Sequence, residues 1–102
     1  MFVNRRILIP KRGHYEDLVT LLTSTMEAID HPHAVRIYKT SDLTAAPYDR
    51  VVWEIEFESL AEYERSLNEW RTGEDAASFE EQYFQFTENG GTSELWEVVK
   101  VR

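Results

Sequence analysis

Asp49-Arg-Val-Val-Trp-Glu-Ile-Glu-Phe-Glu-Ser-Leu-Ala-Glu-Tyr-Glu-Arg-Ser-Leu-Asn-Glu-Trp70 changes its hydrophobic period half-way along. Val51, Trp53, Ile55 and Phe57 alternate with Arg50, Val52, Glu54, Glu56 and Glu58, the two-residue period of a strand with one face more apolar than the other. The period then becomes helical: Leu60, Tyr63, Leu67 and Trp70 recur at i, i+3, i+7 and i+10. Ser59 with Glu62 three residues later forms a capping box where the strand should stop. The stretch predicts a strand that runs directly into a helix packed back upon it.

Working outward, Phe2 to Pro10 reads as a first strand with mixed faces: Val3, Ile7 and Ile9 are interrupted by Arg5, and Phe2 and Leu8 by Asn4 and Arg6. Pro10 and Gly13 mark a turn. A helix follows from His14 to Ile29, with Leu18, Leu21, Leu22, Met26 and Ile29 on its apolar side. His31-Pro32-His33 ends it, because the residue before a proline is pushed out of the helical region. Ala34 to Thr40 predicts a second strand, and Ser41 to Tyr48 a long irregular connection that is a candidate flap. Beyond the central strand and helix, Ala76, Phe79, Tyr83 and Phe86 repeat the same helical spacing, Asn89-Gly90-Gly91 is a turn, and Glu94 to Val101 is a closing strand.

This order predicts one α+β domain over residues 1–102 with the ferredoxin-like βαββαβ plan: a four-stranded antiparallel sheet with helices on one face. An offset of 48 aligns Val3 with Val51, Ile7 with Ile55, Ile9 with Phe57 and Tyr15 with Tyr63, which places Val3, Ile7 and Ile9 toward the helices with Arg5 beside Trp53. The other face would then hold Phe2, Leu8, Tyr38, Val52, Trp96 and Val98 among Asn4, Arg6, Arg36, Glu54, Glu56 and Lys100. An uncovered apolar area on the order of several hundred Å2 marks an association surface. A homodimer with paired sheets is therefore expected, its charges crossing from Arg6 or Arg36 to Glu54 or Glu56.

Composition narrows the function classes. The net charge is -8, with six Lys or Arg against five Asp or Glu in residues 1–48 and five against fourteen in residues 49–102. Nucleic acid is a poor partner for that surface, since phosphate binding needs a basic field. The absence of cysteine excludes disulfides, thiolate metal sites and cysteine nucleophiles and fits a reducing compartment. The first ten residues lack a signal-peptide apolar core and no run reaches membrane-spanning length, so a cytoplasmic protein without a membrane partner is expected.

Arg5-Arg6-Ile-Leu-Ile-Pro10 leading through Gly13 into Tyr15-Glu-Asp-Leu18, together with Glu54-Ile-Glu-Phe-Glu-Ser-Leu-Ala-Glu-Tyr63, Trp70, Phe79 and Tyr83, resembles the dimeric α/β barrel superfamily, which includes antibiotic-biosynthesis-type monooxygenases and NIPSNAP-like proteins. The NIPSNAP-like pattern carries an arginine and a tyrosine in the first strand before a Pro-Gly turn. Here Leu8 stands at the tyrosine position, and Lys11 and Arg12 separate Pro10 from Gly13. The resemblance implies a homodimer with one pocket per subunit for a flat aromatic or polyketide-like molecule, sometimes oxidised without a cofactor. Haem-degrading members use an asparagine, a tryptophan and a histidine. Asn4 and Trp70 match the first two, but no histidine follows His33, so haem is not expected.

No catalytic motif stands out from the residues alone. Trp53, Tyr63, Trp70, Phe79 and Tyr83 form an aromatic set that is either core or pocket wall. Arg5 is the candidate group to hold a carboxylate or enolate oxygen among them, and Tyr63 or Tyr83 the candidate proton donor. His31 and His33 are more simply loop residues than a metal pair, and no cofactor or metal is expected. These readings predict a small-molecule-binding dimer for an aromatic or acidic ligand: a cofactor-independent monooxygenase or an isomerase on an enolisable substrate, against a non-enzymatic metabolite- or protein-binding module.

Overall fold

The computed structural model describes residues 1–40 and 49–102, so the candidate flap lies outside the described residues. The elements are β1 (Phe2–Leu8), α1 (Tyr15–Ala28), β2 (Val35–Lys39), β3 (Val51–Phe57), α2 (Leu60–Thr72), α3 (Ala76–Phe86) and β4 (Thr92–Glu97). The strands form one antiparallel sheet in the order β2-β3-β1-β4, the ferredoxin-like arrangement that the periodicity implies. Among the described residues no helix is long and apolar enough to cross a membrane.

The strand-to-helix switch occurs where the capping box places it. Ser59 Oγ accepts the Glu62 amide at 3.1 Å, which satisfies one orphan donor of α2. The reciprocal bond shifts by one residue, Glu62 Oε2 accepting the Glu58 amide at 3.0 Å. At α1 the apolar face delivers Leu18 and Leu22 to the sheet, where they join Leu8, Val51, Trp53 and Tyr83 in the core. Leu8, Leu18, Leu22 and Val51 are sealed from water, and each contributes roughly 1.5–3 kcal/mol by burial.

One expectation is overturned, and it concerns which way β1 faces. Asn4, Arg6 and Leu8, not Val3, Arg5 and Ile7, turn toward the helices, opposite Ile55, Trp53 and Val51 of β3. The offset of 48 fails because six residues connect β1 to α1 while only Glu58 and Ser59 connect β3 to α2. The physical choice is made by partners. Asn4 is buried because its amide donates to Ser93 Oγ at 3.0 Å and to the Glu94 carbonyl at 2.9 Å. Arg5 turns outward because Glu54 faces it across the strand pair.

β4 is also shorter than the sequence suggests. It ends at Glu97, opposite Phe2, and past it the Val98 amide still reaches the Met1 carbonyl at 2.9 Å. Val99 and Val101, which alternation places in a strand, are almost fully exposed. The turn into β4 runs through Gly91 at φ +76°, where a Cβ would stand 2.5 Å from the Ile7 carbonyl oxygen; no side chain fits there.

Candidate functional site

Between the sheet and α1, α2 and α3 lies a cavity of about 320 Å3, within the ordinary range for a small-molecule site. Its floor is the inward face of β3, Trp53, Ile55 and Phe57, with Asn4, Arg6 and Leu8 of β1 alongside. Trp70 of α2 and Phe79 of α3 meet edge to face with ring centroids 5.3 Å apart, and Phe79 stacks on Tyr83 at 5.5 Å. Tyr63, one turn into α2, meets Phe57 edge-on at 5.2 Å. The helical spacing thus points Tyr63 and Trp70 down onto the strand that precedes them, and the spacing of α3 brings Phe79 and Tyr83 in from the side.

Five of the six candidate residues, Trp53, Tyr63, Trp70, Phe79 and Tyr83, line this cavity. Arg5 does not. Its guanidinium lies on the opposite face of the sheet, 2.7 Å from Glu54 Oε2 through both Nε and Nη2. Arg6 occupies the inward place expected of its neighbour. Among the described residues Arg6 has neither a hydrogen bond nor an ion pair. Next to it in the strand register, Trp53 Nε1 is buried with no acceptor. A buried N–H without a partner costs about 1–3 kcal/mol, and this one is sealed even from the cavity; the half-buried Arg6 guanidinium is the donor that a ligand in the cavity can meet.

The two tyrosines differ in what they can offer. Tyr83 donates its hydroxyl proton to the Gly90 carbonyl, and burial pushes its pKa above the usual phenol value while the Arg6 charge pulls it back. Tyr83 is therefore committed. Tyr63 has no hydrogen-bond partner among the described residues and keeps its hydroxyl free. Asp30 and Glu69 carry the negative charge of the lining but are exposed at the mouth, where water screens them.

Neither periodicity nor motif points to His31, yet its ring lines the cavity, edge-on to Phe57 at 5.1 Å. Its Nε2 lies 2.6 Å from the Glu56 backbone carbonyl. His33 meets the His31 ring edge-on with centroids 5.8 Å apart, and its Nε2 lies 3.5 Å from Glu62 Oε1 and 4.0 Å from Glu58 Oε2. The two imidazoles thus touch but face different oxygens, and the described residues hold no group of three or more metal-ligating side chains.

No family model and no curated protein sequence matches the chain. Solved structures do. A protein of Agrobacterium tumefaciens superposes with a TM-score of 0.78 at 15% identity, covering 95% of this chain and 92% of that one. An uncharacterised NIPSNAP domain protein from Burkholderia xenovorans gives 0.75 at 11% identity, over 97% and 95%. The fold is shared with NIPSNAP domain proteins. A dimeric protein of unknown function and ferredoxin-like fold from Bacteroides fragilis gives 0.58 at 12% identity, over 95% and 96%. At these identities the likeness carries the architecture, and function has to be argued from the site.

Proposed function

We propose that this NIPSNAP-like protein is a homodimer in which each subunit binds a small, flat, anionic molecule between its sheet and helices. The observation that carries the reading is the Arg6 guanidinium, without a hydrogen-bond or ion-pair partner among the described residues, at the floor of a cavity walled by Trp70, Phe79 and Tyr63. A carboxylate or enolate would accept from the Arg6 guanidinium, while the aromatic rings cover the body of the ligand. An isomerase or a cofactor-independent monooxygenase is the enzymatic form of this proposal, and a metabolite-binding module its non-enzymatic form.

The uncovered sheet face supports the dimer. Ile9, Tyr38 and Trp96 are between 37% and 53% exposed. Both arginines among them are already neutralised within the subunit, Arg5 by Glu54 at 2.7 Å and Arg36 by Glu56 at 2.8 Å. Two such faces could meet without burying an unpaired cation, while Glu94, opposite Arg5 on the edge strand β4, has no ion pair among the described residues. Size-exclusion chromatography with light scattering should give a dimer, and Trp96→Glu should give a monomer.

Calorimetric titration with para-acetylbenzoate, an aromatic carboxylate short enough for the cavity, tests the ligand reading. Arg6→Gln should weaken binding by about tenfold or more, the loss of one charged hydrogen-bond donor. Arg5→Gln should leave it unchanged. If Arg5 and not Arg6 governs affinity, the assignment of the site is wrong.

A further inference from the structure

The cavity holds one group that its ligand-binding reading does not use. His31 Nε2 faces a backbone carbonyl, which can only accept, so Nε2 carries the proton and Nδ1 the lone pair. A histidine whose tautomer is fixed by a carbonyl is the arrangement in which imidazole serves as a proton acceptor. The ring belongs to the cavity wall. Tyr63, also at that end against Phe57, has a hydroxyl with no partner among the described residues. A base and an O–H donor without a described partner thus share one end of an apolar cavity, and Arg6, a cation with no partner among the described residues, stands at the other.

We propose that His31 is the proton-transfer residue of this cavity, acting on an aryl ketone acid whose enolisable carbon lies one ring away from its carboxylate. The inference rests on the reading of Arg6 as the anion site. The spacing follows from β3: Arg6 pairs with Trp53, whereas His31 contacts Glu56 and Phe57, three to four residues further along. At roughly 3.3 Å per residue that is on the order of 10–13 Å, the span of a para-substituted benzoate with a contact at each end. In the step, the C–H bond next to the ketone breaks and its proton passes to His31 Nδ1. The electron pair forms the C=C bond, and the ketone oxygen, now an enolate, accepts a hydrogen bond from Tyr63. Return of the proton to oxygen gives the enol, and to carbon the ketone, so no oxidant or other reactant is required.

Para-acetylbenzoate reports both events, since its carboxylate tests Arg6 and its methyl protons test His31. In deuterium oxide, proton magnetic resonance should show the methyl signal lost at least about tenfold faster with the wild-type protein than with His31→Gln, the lower range of general-base effects being larger still. Glutamine can still donate to the Glu56 carbonyl, so His31→Gln should keep the affinity for the probe within about twofold by calorimetry. Tyr63→Phe should slow exchange without weakening the carboxylate contact. Equal exchange rates for wild type and His31→Gln, with the probe bound, would overturn the role of His31 and leave the anion site standing. Failure of the wild type to bind the probe would overturn the anion site and this inference with it. Nitrogen-15 spectra of the imidazole give an independent check: protonated Nδ1 with bare Nε2 would also sink the proposal.

Discussion

Arg5 and Arg6 are adjacent, identical and on the same strand, yet the two sides of the sheet treat them oppositely. On the open side the Arg5 guanidinium is held by Glu54, which also accepts a hydrogen bond from Tyr38 at 3.3 Å. Arg36 is held by Glu56. Under the helices, among the described residues, Arg6 is left without a carboxylate and the Trp53 N–H without an acceptor. The difference separates two uses of polarity. A face whose arginines are neutralised internally can be laid against another copy. One whose cation has no partner among the described residues is open to an anion.

The most damaging way to probe that contrast is through the apolar groups that close the helix-covered side. Leu22 is fully buried against the core, so Leu22→Ala should lower the unfolding free energy by roughly 2–5 kcal/mol, measured by denaturant titration. Ile9 on the open side is 37% exposed, and Ile9→Ala should cost under about 1 kcal/mol in the same titration on the Trp96→Glu background. Equal losses would mean that both faces build the subunit core.

A smaller effect separates the two arginines themselves. Arg5→Gln leaves the Glu54 carboxylate, only 8% exposed, with Tyr38 as its remaining partner. Because the Arg5 side chain is 43% exposed, the loss should be about 1–2 kcal/mol and not the 3–5 of a fully buried pair. Arg6→Gln breaks no bond among the described residues and should change stability by less than about 0.5 kcal/mol. Reversed magnitudes would exchange the faces of β1.

Most of the fold is legible because most elements declare one face. β3 alternates Trp53, Ile55 and Phe57 against glutamates, and the helices carry unbroken apolar rows; element order and the aromatic wall follow from those patterns alone. β1 declares neither face, having an arginine on each, so periodicity could not orient it. A readable signal did exist. The outward glutamates of β3 call for cations on the outward faces of both flanking strands; Arg36 meets that demand from β2, and Arg5 from β1. Choosing Arg5 for the outside sends Arg6 in. His31 had no such signal, since its place depends on a backbone carbonyl 25 residues away.

The subtlest consequence of the arginine assignment is in a titration. Tyr83 has its pKa raised above 10.0 by burial, so between that value and its own pKa the native state retains a phenol proton that the unfolded chain has released. With more protons bound natively, stability falls as pH rises through this window, and below it the group adds no pH dependence. Arg6 opposes the rise, because a nearby positive charge favours the phenolate. Arg6→Gln should therefore move Tyr83 ionisation still higher, whereas Arg5→Gln, on the far side of the sheet, should leave it in place. Ultraviolet tyrosinate absorbance, taken as a difference against the same variants carrying Tyr83→Phe, isolates the one tyrosine concerned. A shift with Arg5→Gln alone would place the wrong arginine beside the cavity and remove the basis for its anion site.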